Sequence, residues 1–115
     1  MFGKKSDNGY TEVLPGIKIK TLCYGNRTLM TEFLLTKDAL LPEHSHDNEQ
    51  IGYLVSGRIK LFINDAARVV HPGDSWNVPA NAKHRAEILE SAVALEVFSP
   101  CREDYLQYVF KPDIE

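Results

Sequence analysis

With 115 residues and a formal net charge of −3, the chain is sized for one domain around one core. Lys4-Lys5 is its only adjacent basic pair, so no basic patch for nucleic acid is expected. No apolar run approaches the roughly 20 residues of a membrane span, and Met1 to Tyr10 is too polar for a signal peptide, so the expected address is the cytoplasm. Cys23 and Cys101 stand alone without metal-like spacing and are expected as free thiols.

In chain order, Met1–Gly9 is expected as a frayed tail. Thr11-Glu12-Val13-Leu14 is a short strand and Pro15-Gly16 a turn. Ile17 to Leu22 alternates apolar and polar, the mark of a half-buried strand. Gly25-Asn26 turns the chain, and Thr28 to Thr36 is a longer strand rich in β-formers. Lys37-Asp38 interrupts it, and Ala39 to Pro42 leads on to a pair of histidines. Gln50 to Ser56 reads as a strand ended by Gly57, and Arg58 to Ile63 as the next. Asn64-Asp65 is a hairpin signal with Ala67 to Val70 returning. His71 to Asp74 is a turn, in which His71 is expected to be solvated. Ser75 to Val78 is a short strand ending at Pro79. His84 to Leu89 and Ala92 to Phe98 read as two strands joined at Glu90-Ser91. Ser99-Pro100 then reads as a helix start, with Glu103 and Asp104 near its positive end. Tyr105, Leu106 and Val109 would pack that turn onto the domain. Eight to ten short strands without an amphipathic helix of ordinary length predict an all-β sandwich or barrel. The core is expected over about residues 12–108, with tails at 1–10 and 111–115. The exposed edge is expected in Thr11–Leu22, where a second copy would pair to form a homodimer.

One stretch concentrates chemistry: His44-Ser45-His46-Asp47-Asn48-Glu49-Gln50. On a strand, residues two apart point to one face, roughly 6.5–7 Å apart, so His44 and His46 can grip one ion. Glu49 or Gln50 offers a third donor, and the irregular turn before them leaves that choice open. His84, beyond the turn Val78 to Lys83, supplies a fourth. Three imidazoles and one oxygen leave coordination positions free on a divalent transition metal, as catalytic sites require. Glu96 sits in the apolar run Leu95 to Phe98, in phase with Ala94 and Phe98. A carboxyl facing a barrel interior needs a partner or a raised pKa. Tyr53 and Trp76 are expected as barrel or interface aromatics, with lining of the pocket as the lesser alternative.

These residues resemble the two motifs of a single-domain cupin. In that family a glycine closes the first motif seven residues past the acid or amide ligand. Counting back from Gly57 selects Gln50. Gly73, Pro79 and His84 match the second motif. Asn81 stands where the family carries a glycine, and Ile88 where it carries an asparagine. The resemblance implies a double-stranded β-helix (jelly-roll) domain with a short C-terminal helical turn. It implies a metal held by His44, His46, Gln50 and His84, with zinc, nickel, manganese and iron(II) all admissible. Gln50, where glutamate is common, leaves the ion its full charge and favours Lewis-acid over redox chemistry.

A narrower likeness is carried by His44 to Gly57 and by Glu96-Val97-Phe98-Ser99-Pro100-Cys101-Arg102-Glu103-Asp104-Tyr105-Leu106. Both look like the pectin degradation cupins, which open the ring of 4,5-unsaturated uronates. That likeness implies a catalytic set of Glu96, where the family usually has aspartate, with Phe98 and Arg102. The implied partner is a small sugar acid. A metal-dependent dioxygenase and a non-catalytic sugar- or ligand-binding protein are the other two functions this fold accommodates.

Overall fold

Two long strands organise the molecule. In the computed structural model, which describes residues 1–115, β5 spans Glu49–Ile63 and β8 spans His84–Ser99. They run antiparallel along their whole length, from Glu49 opposite Ser99 to Ile63 opposite His84. Each covers a region expected as two separate strands. The register slips three times between Leu54 and Ile59. There the pair bends without parting.

Gly57 makes the bend. Its φ is +86°, and a Cβ on it would lie 2.3 Å from the Ser91 carbonyl oxygen and 2.5 Å from the Ala92 Cα. Only glycine tolerates both the dihedral and the approach. A glycine at positive φ fits a strand end as well as a bulge. Pairing with the distant Ser91 and Ala92 selects the bulge. The doubled pair brings its own two ends together, so His84 and Phe98 line one cavity although they are strand-start and strand-end of β8.

The other strands fill in around this pair. They are β1 Thr11–Leu14, β2 Ile17–Tyr24, β3 Leu29–Leu35, β4 Leu40–His44, β6 Ala66–Val70 and β7 Ser75–Val78. The sheet order is β1-β2-β3-β8-β5-β6, with β4 also on β8 and β7 also on β5, all antiparallel. This is the expected all-β jelly roll. β4 forms where only a lead-in was expected, because its Leu40 and Leu41 pair with Glu87 and Ala86. Strand alternation sends Ile17, Leu35, Leu54, Ile59, Leu61, Val70, Ala86, Ile88, Ala92 and Ala94 into one core. Ile88, only 2% exposed, is a core side chain here, so an asparagine in its place would need a buried partner.

Two terminal expectations are corrected. The tails are tied to each other: the Phe2 N–H donates to the Glu115 carbonyl, Glu115 returns the bond, and the Lys4 N–H donates to Asp113. Lys20, almost fully buried, anchors them through its ammonium to the carbonyls of Ser6 and Asn8 and to Asp113 Oδ2 at 3.2 Å. The C-terminal turn is a 3₁₀ helix, Glu103–Tyr108, capped at Arg102, because Ser99 is still in β8. A second 3₁₀ turn covers Lys111–Asp113. No helix is long and apolar enough to cross a membrane. Cys23 and Cys101 are free, as expected.

Candidate metal centre and its pocket

The three histidines converge although they come from three places. His44 ends β4, His84 opens β8, and the two are directly opposite in the strand register. His46 sits in the loop between β4 and β5. That loop is pinned twice. The Asn81 N–H donates to the His46 carbonyl at 2.7 Å, and Asn48 Nδ2 donates to the Pro100 carbonyl at 2.8 Å. Asn81 makes its bond from φ +65°, the left-handed conformation that asparagine tolerates. One ligating atom from each of His44, His46 and His84 lies within 4.8 Å of the others, so this group can hold a metal.

All three rings are held the same way. Nδ1 of each lies against the carbonyl two residues earlier or later: His44 on Pro42 at 2.8 Å, His46 on Asn48 at 2.9 Å, His84 on Ala82 at 2.9 Å. A carbonyl accepts only, so each Nδ1 carries the proton and each Nε2 keeps a lone pair. His84 Nε2 is buried and has no partner in the chain. His46 Nε2 sits 3.0 Å from Gln50 Oε1, which places two acceptors face to face. A cation between them satisfies both. The donor set therefore fits a divalent metal.

Of the two candidates for a third donor, Gln50, the one the family motif selects, faces the histidines. Glu49 is exposed and accepts from Asn77 Nδ2 at 3.1 Å, whereas Gln50 is 7% exposed and faces inward. Its Nε2 donates to Glu96 Oε2 at 2.5 Å. One side chain thus links the histidines to the buried carboxyl. An ionised glutamate at position 50 would put two carboxylates in contact and could not donate.

Glu96 is buried at 8% exposure, and burial raises its pKa to about 8, against the pull of Gln50 and Trp76. The partner and the raised pKa anticipated for a carboxyl in this strand are both present. Phe98 is 1% exposed, with its ring 5.7 Å from His46 and 5.3 Å from Tyr105. Arg102 lies with its guanidinium carbon 3.9 Å from the Tyr105 ring centre and 5.2 Å from that of Phe98. Its Nε donates to both oxygens of Asp104, at 3.1 and 3.2 Å, and its Nη groups make no hydrogen bond within the chain. All seven expected site residues are therefore gathered in one place.

Two further residues join the site: Tyr105, which was not expected there, and Trp76, expected there only as the lesser alternative. Tyr105 enters the cavity wall and stacks under Arg102. Trp76 enters because Gly52, its cross-strand partner, leaves room: a Cβ there would lie 2.1 Å from the indole. Gly52 also pairs with Glu96 on its other side. The indole Nε1–H lowers the Glu96 pKa, yet it lies outside hydrogen-bond geometry and has no partner. A Gly and a Trp paired across strands were the available signal. His71 is exposed, as expected, and Tyr53 faces outward at 47% exposure. The cavity is small, about 60 Å³. A larger one, about 330 Å³, lies under the N-terminal segment, but its charges pair with one another around Lys20.

The comparisons agree with this geometry. Residues 32–99 match the family described as Cupin domain. The chain is a cupin. A relative from Dickeya dadantii (strain 3937), described as pectin degradation protein KdgF, is 30% identical over 99 residues, covering 84% of this cupin and 90% of the relative. The structure of KdgF from Halomonas sp. superposes with a TM-score of 0.86 at 27% identity, over 90% of this cupin and 96% of that chain. An RmlC-like cupin from Shewanella frigidimarina NCIMB 400 gives 0.86 at 25% identity, over 90% and 94%.

Burial lowers the pKa of His84 to about 4 and lowers that of His46 too, with Arg102 adding to the effect at His46. Below its ordinary 6.5, histidine in the unfolded chain takes up a proton that folded His84 refuses until about 4. The unfolded state then binds more protons, so stability is full above pH 6.5 and declines from there to pH 4. Chelator-treated protein is expected to show a falling Tm across that window. A flat Tm there would contradict the buried neutral imidazoles.

Proposed function

We propose that this cupin is a metal-dependent isomerase that opens the ring of 4,5-unsaturated uronates. The contact chain His46–Gln50–Glu96 carries the reading, because it joins a metal group to a buried carboxyl titrating near neutrality. The KdgF relatives support the substrate class. His44, His46, Gln50 and His84 would hold the ion. A divalent transition metal bound there supplies Lewis-acid polarisation of a ligand oxygen.

The remaining work falls to this chain's own residues. The free Nη groups of Arg102 bind the uronate carboxylate, with Asp104 and Tyr105 holding the guanidinium in place. Phe98 walls the site and keeps water from the reacting carbons. The ionised form of Glu96, a minority at pH 7 that grows as pH approaches 8, takes the proton of the anomeric hydroxyl. The ring C–O bond then breaks, leaving a carbonyl at the anomeric carbon and an enolate at the former enol ether. Glu96 returns the proton to the enol carbon, and the enolate oxygen becomes a ketone. The sum is an isomerisation that needs no co-reactant. A pKa of about 8 suits a group that must both accept and return a proton near neutral pH.

The conjugated enol ether absorbs in the ultraviolet and the linear product does not. Metal-loaded protein is expected to speed the loss of absorbance beyond the spontaneous rate in buffer. Arg102→Ala is expected to raise KM about tenfold or more, with a smaller change in kcat. Decay no faster than in buffer would sink the ring-opening reading.

A further inference from the structure

Two rungs of inward-facing residues cross from β7 over β5 to β8. One is Val78–Gln50–Phe98 and the other Trp76–Gly52–Glu96. The first carries a full side chain at each position. The second has none in the middle, and the Trp76 indole takes that space. A Cβ on Gly52 would lie 2.1 to 2.3 Å from its Cε2, Nε1 and Cζ2 atoms. Gly52 is not among the glycines at positive φ, so what it supplies is room for the indole. The ring thereby reaches across β5 toward Glu96, and both side chains line the cavity.

The edge that the indole presents there is a donor. Nε1 is buried, and its N–H has no acceptor in the chain, although the Glu96 carboxyl lies beside it. Neighbouring polar hydrogens are engaged. Each imidazole Nδ1 meets a carbonyl, and Gln50 Nε2 donates to Glu96. A donor buried without an acceptor costs stability, so its presence marks a place where an oxygen belongs.

The proposed reaction says which oxygen. Glu96 must reach the anomeric hydroxyl and then the enol carbon. The ring oxygen lies between those two points, joined to the anomeric carbon on one side and to the enol-ether carbon on the other. A donor beside Glu96 therefore meets the ring oxygen. In the closed ring that oxygen is a weak acceptor, because its lone pair is conjugated with the double bond. When the C–O bond breaks it becomes an enolate and a strong acceptor. We infer that the Trp76 Nε1–H donates to the ring oxygen of the bound uronate and stabilises the enolate as it forms, an inference that rests on the ring-opening reading. Gly52 is the residue that lets the donor reach it. A bond that strengthens toward the transition state raises kcat more than it lowers KM.

Trp76 is the chain's single tryptophan, so it can be altered and observed without interference. Trp76→Phe keeps an aromatic ring over Gly52 and loses the N–H. It is expected to lower kcat about 10²-fold, the low end for one lost oxyanion donor, with KM within a few-fold of wild type. Arg102→Ala has the opposite signature. Biosynthetic replacement of tryptophan by benzothienylalanine puts sulfur in place of the N–H at this position alone and keeps the indole outline. It is expected to show the same loss, with Tm and metal content unchanged. A kcat within a few-fold of wild type in the sulfur analogue overturns the inference and leaves the ring-opening reading standing. Wild-type protein that opens the ring no faster than buffer overturns both. Emission from Trp76 gives a readout apart from turnover. Metal-loaded wild type titrated with a saturated uronate, which lacks the enol ether, is expected to show a saturable change in tryptophan fluorescence. Emission unmoved at concentrations that inhibit ring opening would place the indole away from the ligand and overturn the inference.

Discussion

Glu96→Gln is expected to lower kcat for uronate ring opening by about 10²–10⁴, the usual contribution of a general acid–base group. The substitution keeps the size of the side chain. It also leaves an oxygen that can accept the Gln50 Nε2–H, as Glu96 does now at 2.5 Å. What it removes is the capacity to take up and return a proton. The fold should tolerate it, since Glu96 is buried with its pKa raised to about 8 and already favours its neutral form at pH 7. Stability linked to that raised pKa is full below the ordinary carboxyl range and is lost as pH rises through about 8. The amide has no such loss, so the variant's Tm should exceed that of wild type above pH 8. KM should change little, because Arg102 rather than Glu96 holds the carboxylate. A kcat within a few-fold of wild type would remove Glu96 from the chemistry.

His46→Ala is expected to strip most of the metal. Losing only the hydrogen-bond partner of a metal ligand costs about 10–100-fold in affinity, and loss of the ligand itself should cost more. Three features of the loop make His46 hard to replace. Its ring is fixed by the Asn48 carbonyl, its own carbonyl is held by Asn81, and its Nε2 already faces Gln50 Oε1. Elemental analysis of protein carrying no histidine tag should show near-stoichiometric transition metal in the wild type and little in the variant. His71→Ala is the matched control. That imidazole is 61% exposed and pairs only with Asp74, so its removal should leave metal content alone. Unchanged metal in His46→Ala would refute the ligand set.

The site was more legible in the sequence than the path that assembles it. His44, His46 and His84 stand out because paired imidazoles and a turn-flanked histidine are unusual over so short a span. Glu96 stands out because a carboxyl in an apolar, alternating run is costly without a partner. Both are local signals. Trp76 and Tyr105 gave none. The indole reaches the site only because Gly52 lies opposite it on another strand, and Tyr105 only because Arg102 rests on its ring.

The sequence by itself determined the strand periodicity, the direction each side chain faces and the donor types available, since side-chain parity depends on neighbours one or two residues away. Tertiary structure alone decided whether Gly57 ends a strand or bends it, whether Gln50, the residue the family motif selects, also reaches Glu96, and whether the two tails fray or bind each other. Each of those outcomes depends on a contact between residues far apart in the chain: Gly57 with Ser91, Gln50 with Glu96, Lys20 with Asp113. Local propensity is nearly equal for the alternatives at these positions. Burial and pairing, which exist only once the barrel has closed, break the tie.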